Sequence, residues 1–176
     1  FAKVEAAGLP FLVVERQDKV AGYAYCLPWK ARPAYQGTVE DSIYLAPWAT
    51  GQGAGKELLG ALLEASRTAG VREVIAVIAD SGDPSSIALH KKLGFEDGGR
   101  LRQVGHKHGR DIDTVLLDKT GTITTGKFAV SRLVPAEGVE GVEGGVAGGD
   151  ALLEFVEGAV ARSGVDKPEF AVAGFD

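Results

Sequence analysis

Residues 38–55 read Thr-Val-Glu-Asp-Ser-Ile-Tyr-Leu-Ala-Pro-Trp-Ala-Thr-Gly-Gln-Gly-Ala-Gly: an alternating strand that runs through a glycine-rich turn straight into an amphipathic helix. Gly51, Gly53 and Gly55 let a backbone approach a ligand closely. A helix opening at about Lys56 aims its unpaired N–H groups and positive dipole end at the same place. The result is a cradle suited to a pyrophosphate, lined by Gln52, Ala54 and Lys56 and fed by the strand end Ile43, Tyr44 and Leu45. An ordinary tight turn uses the same residue types, so the turn acquires meaning only from its neighbours.

Downstream, residues 83–95 predict a short helix, with Asp83 as cap, Pro84 at the first helical position and Gly94 where the helix stops. Upstream, 9–15 and 19–27 are apolar, β-branched and aromatic runs separated by the polar turn Arg16-Gln17-Asp18, which predicts a hairpin. Residues 38–46 are the third strand. Residues 56–68 carry Leu58, Leu59, Leu62, Leu63 and Ala65 at helical spacing. Residues 73–80 form an almost unbroken apolar run, as expected of a central strand covered on both faces. Residues 95–104 and 111–117 are predicted closing strands. Strands with interspersed helices give an α/β layer fold.

The 176 residues carry a net charge of −5, and all of it lies beyond residue 117: the first 117 residues hold 14 basic and 14 acidic side chains. Neither nucleic acid nor an anionic membrane is the expected partner of such a surface. Cys26, the single cysteine, cannot form an internal disulfide, and its alternation with the tyrosines of its strand predicts a small buried hydrophobe. No apolar run reaches the roughly 18 residues of a membrane span, and no basic-then-apolar leader opens the chain, so the expected location is the cytoplasm.

Four separated blocks in this order resemble the GNAT N-acetyltransferases, and within them the phosphinothricin and methionine sulfone or sulfoximine acetyltransferases. The blocks are Pro28-Trp29-Lys30-Ala31-Arg32-Pro33-Ala34-Tyr35, Thr38-Val39-Glu40, Ser86-Ile87-Ala88-Leu89-His90 and Val104-Gly105-His106-Lys107-His108-Gly109-Arg110. The resemblance covers roughly residues 9–117. It implies a mixed sheet with flanking helices, acetyl-CoA as cofactor and a small amino-acid-like amine as acceptor, and leaves a homodimer open.

The chemistry so implied needs a deprotonated amine, a polarised thioester carbonyl and a protonated leaving thiolate. Glu40 is the candidate base, pointing with Thr38, Ser42 and Tyr44; an exposed strand carboxylate is the plain alternative. His90 stands where this branch carries a histidine, and the resemblance implies that it serves the departing sulfur. A core histidine beside Ile87 and Leu93 is its alternative. Asp83 and Ser86 are expected beside the pantetheine arm. Lys30, Arg32 and Tyr35 suit a small anionic or zwitterionic acceptor, or are solvated loop charges. The family departures are Thr50 for Arg or Gln, Asp83 for Asn and His106 for Trp.

Asp118-Lys119-Thr120-Gly121-Thr122-Ile123-Thr124 resembles the phosphorylation motif of P-type ATPases of the heavy-metal-transporting branch. There the Asp accepts the phosphoryl group. The magnesium and nucleotide elements of that family have no counterpart here, so Asp118 is not expected to turn over ATP. Residues 118–176 are expected to form an appendage to a domain at 1–117, with a linker at 138–149, where six of twelve residues are glycine, and a helix at 150–163. Phe1 in first place, the absence of methionine and the missing opening strand and helices of the family predict a fragment, a processed product or an artificial fusion. An inactive fragment that folds without turnover is therefore the alternative function, and a piece of a metal-transporting ATPase the second.

Overall fold

The computed structural model describes residues 2–119. They form α1 (Ala2–Ala6), β1 (Phe11–Arg16), β2 (Lys19–Pro28), β3 (Thr38–Leu45), α2 (Ala54–Thr68), β4 (Glu73–Ala79), α3 (Ser85–Lys92), β5 (Glu96–Lys107) and β6 (Arg110–Lys119), with single 3₁₀ turns at Pro33–Tyr35 and Pro47–Ala49. The six strands make one mixed sheet in the order β1-β2-β3-β4-β6-β5. Only β3 and β4 are parallel, joined by the α2 crossover.

The predicted hairpin closes at Gln17 and Asp18, both at positive φ (53° and 57°), the paired left-handed turn that matches the twist of two antiparallel strands. α2 begins at Ala54, two residues before the predicted start, because Gly53 at φ 86° is its N-cap. It buries Leu58, Leu59, Leu62 and Leu63 against Val14, Ala24, Cys26, Val39 and Val74. The opposite face of the sheet carries a second cluster, in which Val4 of α1 covers Phe11, Val20 and Tyr23, with Tyr25 and Tyr44 at its edge. Phe11, Tyr23 and Tyr44 stack with centroids 5.9 and 4.9 Å apart. The sequence pattern signals no α1, among whose described side chains only Val4 is buried.

Two expectations change. β4 is not covered on both faces: Val74, Ala76 and Ile78 are buried, whereas Val77 is 37% exposed, since β3 has already left its side there. β6 does not stop at Leu117: Asp118 pairs with Ile75 and with Glu96, and Lys119 pairs with Val74 and is buried. Asp118 therefore lies inside the sheet rather than at the head of an appendage. The linker and helix expected at 138–149 and 150–163 lie outside the described residues.

Leu62 is fully buried between α2 and the sheet. Leu62→Ala is expected to cost about 2–5 kcal/mol in urea unfolding, the range for deleting a large aliphatic side chain that the surroundings cannot refill.

Candidate active site

β3 and β4 pair from Thr38↔Glu73 to Asp41↔Ala76 and then diverge. Beyond that rung β3 pairs only with β2 and β4 only with β6. A wedge opens in mid-sheet, bordered by the half-buried Ile43, Tyr44 and Leu45 on one side and by Val77 and Ala79, both exposed, on the other. Backbone groups facing the wedge lack strand partners and are free to bind an extended amide-bearing chain.

The glycine turn lies at the β3 side of this wedge. Thr50 Oγ1 donates to Pro47 O at 2.7 Å and Gln52 Nε2 to Trp48 O at 2.6 Å, which stiffens the turn from within. Gly51 and Gly53 lie at φ 73° and 86°, and a Cβ on either would meet no atom within 4 Å, so these two glycines serve conformation and leave open space in front of them. Gly55 differs: a Cβ there would stand 2.9 Å from Leu45 Cδ1, so this glycine serves helix-to-strand packing. Glu57 N donates to Gly53 O as the first backbone bond of α2, and the preceding donors at Ala54, Gly55 and Lys56 have no partner within the helix. Arg16 pairs with Glu57 and neutralises the carboxylate that would oppose an anion at this helix end. The cradle thus fits a pyrophosphate in shape and charge.

Glu40 is half-buried on the sheet face that holds Leu27, directly across on β2, together with Tyr25 and Tyr44. Burial raises its pKa above the usual carboxylate range, the neighbouring Asp41 charge adds to this, and Lys30 partly opposes it. Lys30, Arg32 and Tyr35 are exposed on the loop between β2 and β3, with Lys30 Nζ 4.8 Å above the Trp29 ring. Trp29 N donates to Thr38 O (3.1 Å) at the base of that loop, and Arg72 Nη2 donates to Gln36 O (2.8 Å) at its end. β3 thus carries Glu40 between the basic loop, which precedes Thr38, and the cradle, which follows Leu45, as one group along the strand.

His90 is not in that group. It is 2% exposed, on the α3 side of the sheet and so on the opposite face from Glu40, with Nδ1 2.7 Å from Ser86 O and Nε2 3.0 Å from Asp41 Oδ2. Phe95 meets its ring edge-on at 4.9 Å. Both nitrogens are engaged and neither faces the wedge, the arrangement of the core histidine that helical spacing also allows. Asp83 is exposed and lies one residue before the N-cap of α3, which is Pro84 rather than Asp83; it accepts from Ser85 N and Ser85 Oγ, both at 2.9 Å, the first of which holds its pKa low. Ser86 shares that first turn. Cys26 is buried 3.4 Å from Ser66 Oγ, and burial pushes its thiol up to about 12, in line with a packing role. Asp118 lies in β6, away from the cradle's elements in the ladder.

Sequence reasoning missed Asp41 and Arg72. A signal for the first was present: a carboxylate at an inward position of an alternating strand has to find a buried partner. The anchoring role of Arg72 carries no sequence signal, because the loop it holds lies 36 positions earlier.

The mixed sheet is split between its two parallel strands, with a glycine turn at a helix N-terminus beside the split. The sequence profile of the acetyltransferase (GNAT) family matches residues 2–95, and the chain belongs to that family. It is 48% identical over 118 residues to a phosphinothricin N-acetyltransferase of Alcaligenes faecalis, covering 67% of this chain and 60% of that protein. It is 40% identical over 111 residues to an L-methionine sulfoximine/L-methionine sulfone acetyltransferase of Pseudomonas paraeruginosa, covering 62% and 64%. The structure of a GNAT superfamily phosphinothricin acetyltransferase from Sinorhizobium meliloti, in complex with AcCoA, aligns with a TM-score of 0.64 at 42% identity, covering 74% of this chain and 72% of that one. The chain thus spans about three fifths of the length of these curated relatives. Among the described residues no helix is long and apolar enough to cross a membrane.

Gly53→Ala forces a side chain into a left-handed N-cap and a methyl into the open cradle. We expect a loss of about 1–2 kcal/mol in thermal or urea unfolding, together with weaker binding of a pyrophosphate-bearing ligand by titration calorimetry.

Proposed function

We propose that the chain is an acetyl-CoA-dependent N-acetyltransferase for a small amino-acid-like amine of the phosphinothricin or methionine sulfone type. The observation that carries this reading is the placement of Glu40: a half-buried carboxylate of raised pKa, one rung before the last β3–β4 pair, beyond which the wedge opens, with the Lys30 charge acting on it. The curated relatives' names support the acceptor class.

In this reading the cradle donors of Ala54, Gly55 and Lys56 hold the pyrophosphate of acetyl-CoA, and the unpaired edges at Ile43–Leu45 (43–45) and 77–79 receive its pantetheine amides, with Asp83 and Ser86 at the α3 side. Lys30 and Arg32 draw the acceptor's carboxylate or phosphinate, and Tyr35 packs against it. Glu40 removes one ammonium proton so that the nitrogen lone pair can attack the thioester carbonyl. The C–S bond then breaks, and the nitrogen's surplus proton passes to the departing thiolate, giving amide, free thiol and the proton on Glu40. No side chain has to protonate sulfur, so a buried His90 is compatible with turnover. A cytoplasmic location suits a chain whose single thiol is buried. We assign no phosphoryl chemistry to Asp118, which is flanked by strands on both sides.

Thiol release with phosphinothricin and with methionine sulfone tests the proposal. Glu40→Gln is expected to lower kcat/KM by about 10²–10⁴, the usual contribution of a general base, while retaining acetyl-CoA binding. Since the carboxylate must be ionised to act, kcat/KM of the native chain should fall as pH drops through a value above the ordinary carboxylate range, and this limb should vanish in the variant. Acetyl-CoA binding with no turnover of either amine would instead identify a folded, inactive fragment. Failure of millimolar acetyl-CoA to raise the unfolding temperature would overturn the reading, because a ligand at 100 times its Kd adds about 2.7 kcal/mol.

A further inference from the structure

The acetyl-transfer mechanism leaves the buried Asp41–His90 pair without a task. Its geometry is demanding. Nδ1 of His90 lies 2.7 Å from a carbonyl oxygen, that of Ser86, and Nε2 lies 3.0 Å from a carboxylate oxygen, Oδ2 of Asp41. Both neighbours are acceptors. A neutral imidazole has one N–H and would leave one of the two contacts as a lone pair facing a lone pair. Only a ring protonated on both nitrogens satisfies them, or the equivalent state with the second proton lodged on Asp41. The enclosed charge has its counter-charge in direct contact, while the other Asp41 oxygen, Oδ1, is buried with no hydrogen-bond partner among the described residues.

The position of the pair is equally particular. The sheet consists of two halves, β1-β2-β3 and β4-β6-β5, joined only by the short parallel ladder that ends at Asp41↔Ala76. α2 packs on β1, β2 and β3, whereas α3 packs on β4 of the second half and touches α2 of the first. Asp41 belongs to the first half and His90 to the second, and they meet at the rung where the wedge opens. The Ser86 carbonyl that fixes the other side of the ring is in the first turn of α3, where Ser85 N donates to Asp83.

We propose that Asp41 and His90 form a proton-held clamp across the two half-sheets, fixing the first turn of α3 at the mouth of the wedge and acting as positioning residues for the acetyl-CoA arm. What the clamp positions rests on the function proposed above; its protonation state does not. The groups facing it from neighbouring elements are few. Cys26 of β2, opposite Asp41, is a neutral thiol; Ser66 of α2 is uncharged; β4 presents Val74, Ala76 and Ile78; and Lys119 of β6 sits past the end of α3, where a Cβ on Gly94 would come 3.1 Å from its Nζ. Lys91 and Lys92 on α3 itself are exposed. Burial by itself would lower the His90 pKa, but the hydrogen bond to Asp41, the Asp41 charge and the Ser86 carbonyl outweigh it and raise the pKa above 6.5. The sign follows: the clamp is complete below 6.5 and is lost as pH rises through the raised folded value.

The test uses the full chain labelled with ¹⁵N-histidine, with the His90 ring assigned by removing the exposed His106 and His108 in turn as glutamines. Both His90 nitrogens are expected to read as protonated at neutral pH, losing a proton only above 6.5. Asp41→Asn is expected to lower the pH at which the ring titrates and to raise the Kd for acetyl-CoA about tenfold, the loss of one hydrogen bond to a charged group, with the acceptor KM unmoved and the Glu40 limb of the pH profile shifted to lower pH because the Asp41 charge is gone. A native His90 ring that is singly protonated at neutral pH overturns the clamp, as does a folded Asp41→Asn chain with native acetyl-CoA affinity. Should that variant not fold, the native titration decides alone. A doubly protonated ring in a chain that binds no acetyl-CoA overturns the acetyl-transfer reading instead.

Discussion

Parallel pairing between β3 and β4 stops at Asp41↔Ala76, although both strands continue, and the site depends on that interruption. Each strand stays anchored on its outer side, β3 by β2 as far as Leu45 and β4 by β6 as far as Ala79, so the divergence is held by hydrogen bonds on the far edges rather than by slack in the strands. Unpaired backbone groups are costly only when buried away from any partner. Here the wedge reaches the surface, with Val77 and Ala79 exposed, so water can satisfy these groups until a ligand replaces it. An extended amide chain is the ligand such an opening favours, because it supplies the missing ladder bonds. The glycine turn adds the anionic end of the same preference a few residues further on.

The adjacent carboxylates of Glu40 and Asp41 show how one strand divides its chemistry between faces. Successive residues of a strand point to opposite sides, so two side chains of the same kind enter different media. Asp41 is enclosed, and its Oδ2 is matched by the His90 ring. Glu40 keeps contact with solvent and with the Lys30 loop, and its basicity rises from burial and from the Asp41 charge next to it. The buried carboxylate therefore acts on the site in two ways: through α3, whose position it fixes, and through the field it exerts on Glu40. A neutral residue at position 41 would leave α3 less constrained and Glu40 a weaker base.

Much of this was legible from residues alone. The hairpin, the third strand, α2, β4 and α3 follow from period-two and helical spacing together with the punctuation of Gly53, Asp83 and Gly94, and Glu40 was correctly oriented by alternation. What failed did so for physical reasons. Val77 looked like core because a run of aliphatic residues does not reveal that a neighbouring strand departs. α1 is too short to show periodicity and is held by tertiary contact of Val4. His90 sits on a helix where spacing cannot say which way an imidazole turns, and its partner is 49 positions away in the chain. Asp41 was passed over because the stronger cue, the neighbouring Glu40, drew the functional reading to the other face.

The end of β6 raises the same question for motifs. An apolar strand followed by Asp-Lys suits both the closing strand of an acetyltransferase sheet and the opening of a phosphorylation site, so the residue string alone does not choose between them. Register shows what the string does in this fold. Leu117 is buried beneath the α2 layer, Asp118 is bracketed by Ile75 on one side and Glu96 on the other, and Lys119 is buried beside the C-terminal end of α3, where its charge complements the helix dipole. Asp118 is half-buried with ladder neighbours on both edges, and its register there is the one that closes the sheet.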